Sequence, residues 1–245
     1  PYTTLFRSGS LLVGGRSSPD KAFADCWLYS KLSHTWERVD DIPVARYRHT
    51  AFGLDNGSVL VTGGKNDSKT VLSDTFIWNR QTGWRECLPE QDGKPQVFGA
   101  LMISDVTSTT STMSGFLVGG MSMDGRVSAD LWSWELRPDH VTIRWTCHGK
   151  AAGVENPYLH RFGACWANHD GKSLVVGGII PGNLIPEHAE IVALDVERET
   201  GRPKTNLLEV ERCETRPLLV GHSIATSGGN LITIDRKSTR LNSSH

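Results

Sequence analysis

Three arginines stand at matching places in different surroundings. Arg46 lies in "ARYRH" (45–49), Arg161 in "HRFG" (160–163), and Arg216 just ahead of "PLLVGH". A guanidinium is a planar fork of N–H donors that meets a phosphate or a carboxylate through two bonds at once. Two chemistries follow. The arginines form a ring near a central channel and bind an anionic ligand or partner, or each pairs inside the fold with an acid. Asp25, Asp74, Asp130 and Glu190 are the acids so spaced. The sequence favours the internal pairing, which needs no ligand, and leaves partner binding at Arg46, Arg161 and Arg216 as the rival.

Other chemistry is weakly signalled. "DGKS" (170–173) ends like a phosphate loop, but the opening glycine would fall on Trp166, so a hairpin turn is expected. The histidines show no H-x-H spacing, and no metal ligands are expected. Cys26, Cys87, Cys147, Cys165 and Cys213 are odd in number, widely spaced and without a C-x-x-C pair. They read as reduced, mostly buried thiols of an intracellular, cytoplasmic protein. No apolar run reaches 18 residues, so no membrane partner is expected. No catalytic, cofactor-binding or metal-binding residue is assigned.

The arginines must be held by something, and that is a repeat. An apolar triplet ending in two glycines recurs as "LLVGG" (11–15), "VLVTGG" (59–64), "FLVGG" (116–120) and "LVVGG" (174–178). The pairs are Gly14–Gly15, Gly63–Gly64, Gly119–Gly120 and Gly177–Gly178, spaced by 49, 56 and 58 residues. Upstream of each pair lies a strand-like run: "YRHTAFGL" (47–54), "FGALMI" (98–103), "FGACWA" (162–167) and, for a fifth unit, "GHSIAT" (221–226). Turn chemistry such as "DNG" (55–57) joins run to glycine strand. Downstream come an acid and alternating aromatics, as in "SDTFIWN" (73–79) and "ADLWSWEL" (129–136), then a short strand with Trp36, Trp84 or Trp145. The fourth unit replaces that Trp with "NLLEV" (206–210). Glycine is needed where the chain bends with positive φ and a neighbouring backbone comes close. The aromatics are expected to fill the core between units.

Four short strands per unit without helical period predict an all-β propeller. The glycine pair, the acid–aromatic strand and the later Trp resemble the kelch repeat. A WD repeat does not fit, because no Trp-Asp ends a unit. The expected architecture is a partial kelch-type β-propeller of about four four-stranded blades, 9–39, 46–88, 96–147 and 161–212, with a partial fifth over 216–234. "LLVGGRSSPDKAFADCWL", "PVARYRHTAFG" and "VLVTGGK" together resemble the kelch region of the fungal leucine carboxyl methyltransferase 2 family, also called tRNA wybutosine-synthesizing protein 4. The resemblance implies a parent that joins an S-adenosylmethionine-dependent methyltransferase domain to a kelch propeller and a cupin-type domain. It also implies methylation and methoxycarbonylation of a wybutosine precursor on phenylalanine tRNA. The methyltransferase's glycine-rich cofactor loop is absent from 9–234, so no cofactor is expected here. The partners implied are the neighbouring catalytic domains and tRNA. The alternative is a free-standing kelch interaction protein. Galactose oxidase has kelch-type blades too, but its copper site finds no counterpart among Tyr29, Tyr47, Tyr158 and the scattered histidines.

The two ends stand apart. "PYTTLFRS" (1–8) and "DRKSTRLNSSH" (235–245) reverse-translate into partner short-read sequencing adapters, and both are expected to be scars outside the fold. The fifth glycine strand breaks off where the second begins. Excluding both ends takes the 26 basic and 27 acidic residues to 22 and 26, a mildly acidic domain. Strand alternation puts the loops after the glycine pairs and the links between blades on one face. They span 16–23, 65–72, 121–128, 179–187, 40–47, 88–96 and 148–160, with eight Lys or Arg and nine Asp or Glu. Such a balance suits protein or domain contacts better than a phosphate backbone.

Overall fold

The computed structural model describes residues 2–6, 9–18, 20–54, 56–104, 112–150, 157–169, 172–182, 191–196, 203–208 and 219–234. All regular structure among them is β apart from a 3-10 turn at Pro157–Leu159. Among the described residues no helix is long and apolar enough to cross a membrane. Sheet one holds β1 (Tyr2–Phe6), β2 (Gly9–Ser18), β3 (Lys21–Ser30) and β4 (Thr35–Val39). Sheet two holds β5 (Thr50–Gly53), β6 (Val59–Thr62), β7 (Thr75–Asn79) and β8 (Gly83–Glu86). Sheet three takes β10 (Phe98–Ser104), β11 (Met113–Met121), β12 (Asp130–Arg137) and β13 (Thr142–Lys150), joined by the two-residue β9 (Leu88–Pro89) running parallel to β13. Sheet four holds β14 (Cys165–His169), β15 (Lys172–Val176), β16 (Ile191–Val196) and β17 (Pro203–Leu208). A hairpin of β18 (Ser223–Ser227) and β19 (Asn230–Ile234) follows. Apart from β9, each of the four sheets runs in chain order with antiparallel neighbours.

Residues 2–6, set aside in the sequence as part of a scar, take the first-strand place of sheet one and pair with Gly9–Val13. Backbone pairing is blind to where a sequence came from. The free edge of β2 offers unpaired N–H and C=O groups, and any extended segment can satisfy them. Residues 7, 8 and 235–245 lie outside the described residues.

The first strands contact one another in sequence, β1 with β5, β5 with β10, β10 with β14 and β14 with β18. They therefore lie innermost around a common axis, and the fourth strands lie outermost. The core is layered between successive sheets. Leu11, Val13, Cys26 and Leu28 pack on Val59, Val61, Phe76 and Trp78 between sheets one and two. Leu60 and Ile77 meet Met102, Leu117, Trp134 and Trp145 between sheets two and three. Leu101, Ile103, Phe116 and Val118 meet Val175, Val192 and Leu194 between sheets three and four. The second strand of sheet two is sandwiched between its neighbours, and Val59–Thr62 are fully buried on both faces.

Cross-strand aromatic pairs recur between third and fourth strands: Tyr29 with Trp36, Trp78 with Trp84, and Trp134 with Trp145. Trp84 leans on the core shared with sheet one, and Trp145 is buried in the core shared with sheet two. Each reaches toward the preceding sheet. Trp36 departs from the expectation that these aromatics are core. It is 50% exposed, with Tyr29 5.2 Å away, because no described sheet precedes sheet one.

Glycine pairs hold sheet to sheet. In each pair the second N–H donates to a carbonyl at the start of the next sheet: Gly15 to Arg46 (2.9 Å), Gly64 to Val97 (3.3 Å), Gly120 to Arg161 (2.8 Å) and Gly178 to Leu219 (2.7 Å). All eight glycines have positive φ. A Cβ on the first glycine would sit 2.6, 2.6, 2.1 and 2.2 Å from those same carbonyl oxygens, which real contacts do not allow. Gly119 and Gly125 separate the two requirements, since both have positive φ (66° and 79°) but only Gly119 faces an obstruction. Gly125→Ala is expected to cost about 1 kcal/mol through φ strain alone. Gly119→Ala should cost several times more, because Arg161 and its strand must move. Urea unfolding of the two variants side by side checks this.

Candidate functional site

Arg46 is fully buried at the entry to β5. Its Nη1 and Nη2 donate to the two oxygens of Asp74 at 2.7 and 3.0 Å, Nη1 also to the Gly63 carbonyl at 3.1 Å, and Nε to the Val44 carbonyl at 3.1 Å. The guanidinium lies 5.2 Å from the Phe76 ring centroid. Arg161 is equally buried. It donates from Nε to the Tyr158 carbonyl at 2.6 Å and from Nη1 to the Gly177 carbonyl at 2.9 Å. The two arginines thus make the same bond to the first glycine carbonyl of their own sheets. Glu190, the acid expected beside Arg161, and Arg216 lie outside the described residues. Asp25 accepts from the indole N–H of Trp27 at 2.8 Å, and the Asp130 amide donates to Ser128 Oγ at 3.2 Å. Arg46 and Arg161 come to equivalent places in sheets two and four, with Val97 in the same place in sheet three. They are walled in by backbone and do not present a surface fork.

Beside Arg46 sits His49, fully buried. Burial, with the Arg46 charge adding to it, drives its pKa from 6.5 to about 3, so the ring is neutral at pH 7. Burial also raises the thiols: Cys26 and Cys165 to about 11, and Cys87 to about 12. These are inert thiols, and all four described cysteines are free, although Cys147 is exposed. Ser133 Oγ and His148 Nε2 are 2.8 Å apart on neighbouring strands. Among the described residues no carboxylate meets the other ring nitrogen, so the pair is a cross-strand hydrogen bond without the orienting group of a nucleophile and base. Among the described residues no group of three or more His, Cys, Asp or Glu could hold a metal ion.

A different constellation emerges where the glycine pairs end. Arg16 follows the first pair and Lys65 the second. The Arg16 guanidinium lies 4.8 Å from the Tyr47 ring centroid, and Lys65 Nζ is 3.9 Å from that of Phe98. The Arg48 guanidinium lies over both Phe98 (5.9 Å) and Phe162 (5.0 Å). Three cations from sheets one and two therefore share an aromatic floor built from sheets two, three and four. Sequence reasoning missed them. The signal was available for Arg48: in the aligned runs "YRHTAFGL", "FGALMI", "FGACWA" and "GHSIAT" it stands where Gly99, Gly163 and Gly221 stand.

The model of a family described as "tRNA wybutosine-synthesizing protein 4, beta-propeller" matches residues 2–234. The chain belongs to this β-propeller family. Relatives named tRNA wybutosine-synthesizing protein 4 include those of Aspergillus fumigatus, 33% identical over 241 residues, and Gibberella zeae, 31% identical over 241 residues. The alignments cover 90% and 95% of this chain but 22% and 23% of the relatives. That of Saccharomyces cerevisiae is 26% identical over 203 residues, covering 81% of this chain and 28% of the relative. The propeller thus spans about a quarter of the length of the curated relatives it matches, as one part of a longer family architecture.

Two outcomes follow from the Arg46 environment. Arg46→Ala strips a partner from Asp74 and a donor from Gly63, and is expected to destabilise by about 3 kcal/mol, the low end for broken buried pairs because Asp74 keeps some exposure. Arg46→Lys should recover little of this, since one ammonium cannot replace the fork. Chemical denaturation reads both. His49 sets a pH dependence. Below pH 6.5 the unfolded chain binds a proton that the folded ring refuses until about pH 3. Stability from this group is complete above 6.5 and falls as pH drops toward 3, at a limiting slope of about 1.4 kcal/mol per pH unit. Between pH 6.5 and 5, where carboxylates stay ionised, His49→Gln should flatten the measured slope.

Proposed function

We propose that this propeller is a non-catalytic module of a tRNA wybutosine-synthesizing protein, acting as a scaffold for the neighbouring catalytic domains of its chain and helping to place the tRNA. The observation that carries the reading is the family match over residues 2–234 joined to a chain that spans 22–28% of its named relatives. Its chemistry-bearing groups fit a scaffold. Arg46 and Arg161 are consumed in internal bonds, the buried thiols are raised far above neutrality, and Ser133–His148 lacks an orienting acid. S-adenosylmethionine and the methyl-transfer chemistry belong, on this reading, to other parts of the parent. Free cysteines and the relatives' tRNA-directed names support an intracellular setting.

The blade boundaries proposed are 9–39, 46–88, 96–147 and 161–212 with a partial 216–234; the chain order of the four sheets and the hairpin supports a division of this kind, with β1, β9 and the end of β13 departing from it. The family match favours this reading over a free-standing kelch interaction protein. The test is direct. The chain is incubated with labelled S-adenosylmethionine and tRNA lacking the finished wybutosine, with a full-length family member alongside. No label should reach the tRNA from this chain. Transfer above the blank would place catalytic residues inside the propeller and overturn the proposal.

A further inference from the structure

The cations on the aromatic floor carry an inference of their own. Arg16 and Lys65 hold one repeat position, the residue after the glycine pair, which sheets three and four fill with Met121 and Ile179. Lys65 pairs across a bridge with Tyr47, as Ile179 does with Phe162. Arg48 has φ 54°, against 65°, 68° and 65° for Gly99, Gly163 and Gly221 in the same place. Its amide-linked neighbours need that geometry. The carbonyl of residue 48 accepts from Gly99 N–H (2.7 Å), that of Gly99 from Gly163 (3.0 Å), and that of Gly163 from Gly221 (2.7 Å). This inner ladder runs from sheet to sheet, and only sheet two places a side chain on it. Arginine seldom adopts a left-handed conformation, and strain of that kind collects at functional sites.

The floor itself is closed. Tyr47, Phe98 and Phe162 are buried, and Phe98 and Phe162 meet edge to face at 5.4 Å. A base cannot stack on them, so what the patch offers is positive charge. Arg16 and Arg48 are exposed and Lys65 is half-buried. Lys65 has its pKa lowered by burial first, then by Arg48, Lys69 and Arg16. Of the acids of the adjoining loops, Asp20 pairs with Lys69 at 2.9 Å, and Asp67 accepts from the amide of Ala22, the residue opposite Arg16. Among the described residues neither Arg16 nor Lys65 has a carboxylate within salt-bridge distance. The ring contacts hold Arg48 and Lys65 in place yet keep like charges close together, and an anion relieves the crowding.

We infer that Arg16, Arg48 and Lys65 form a phosphate-binding patch at the glycine-pair end of the innermost strands, which takes the phosphodiester backbone of an RNA. The choice of RNA over other phosphates rests on the proposed function, whereas the phosphate chemistry rests on the patch alone. Two guanidinium forks and one ammonium suit phosphate oxygens on neighbouring nucleotides. Contacts of this kind position an RNA without reading its sequence.

The experiment measures binding of an unmodified tRNA transcript to this chain by fluorescence anisotropy across a salt series. The variant carries Arg16→Met, Arg48→Gly and Lys65→Met, each taken from the equivalent place in another sheet, so its thermal melt should match or exceed the parent's. Affinity should fall at least tenfold. The slope of log affinity against log salt should lose about two units, for three phosphate contacts at ~0.7 each. Unchanged tRNA affinity and slope in the folded variant overturn RNA binding at the patch and leave the proposed function standing. Failure of the unsubstituted chain to bind tRNA overturns both. Inorganic pyrophosphate forms a second arm: if the variant loses pyrophosphate binding but keeps tRNA binding, the ligand is a small phosphate and not RNA. Poly-glutamate forms a third: binding that matches tRNA in strength and salt slope makes the partner an acidic peptide and overturns the phosphate assignment.

Discussion

One backbone contact governs this molecule: the carbonyl at the entry of each sheet pressed against the glycine pair of the sheet before it. The contact is short enough that no side chain fits, and its hydrogen bond crosses between sheets instead of within one. A propeller must pack sheets face to face near its axis, where space is least. Removing Cβ is the only way to bring two backbones that close, and positive φ then turns the strand away from the axis toward its loop. The second glycine serves its own sheet in the same manner, since a Cβ on Gly64, Gly120 or Gly178 would strike Tyr47 and His49, Ala100 or Ala164, at the entry to or start of the first strand, at 2.8–2.9 Å.

Arg46 and Arg161 become intelligible through that contact. Each offers its backbone carbonyl to the preceding glycine pair and sends its guanidinium to the first glycine carbonyl of its own sheet. One residue therefore ties two successive glycine pairs together. A ligand-binding role would have to share a side chain already committed on several sides, at full burial. Sheet three manages with Val97 in the same place, so the arginine reinforces the joint and the glycines create it. A buried pair such as Arg46–Asp74 is weak evidence for net stability, because desolvation offsets most of the attraction. Its consequence is geometric: with two oxygens on two nitrogens, β5 and the approach to β7 hold one register.

The glycine pairs, the strand order and the cross-strand aromatic pairs were legible in the sequence because each depends on residues close together within one unit. Repetition supplied four independent readings of one pattern. Trp36 escaped for the opposite reason. Its place in the strand matches Trp84 and Trp145, but burial depends on a preceding sheet, which strand pattern does not report. Residues 2–6 escaped likewise, since an open β2 edge accepts a strand whatever its origin. Arg16 and Lys65 were hidden by averaging. Eight basic and nine acidic residues on the loop face look neutral in sum, yet two of the eight meet Arg48, which lies just outside those segments, over Phe98, Phe162 and Tyr47.

That concentration has a structural logic. The inner ladder from residue 48 through Gly99 and Gly163 to Gly221 needs a left-handed residue in each sheet, and glycine supplies it at no steric cost in three. Arginine in the remaining place is the expensive choice, since the backbone geometry and the ladder bond are the same without it. What the arginine adds is a guanidinium reaching across two neighbouring sheets to rings that glycine could not touch. Met121 and Ile179 show that the neighbouring repeat position can likewise be apolar, so Arg16 and Lys65 are not demanded by the bend. The repeat thus sets the fold with residues common to all sheets, and its departures from repetition collect at one end of the innermost strands. In a structure built from copies, the places where one copy breaks the pattern at an energetic cost are where selection for something other than folding is most plainly written.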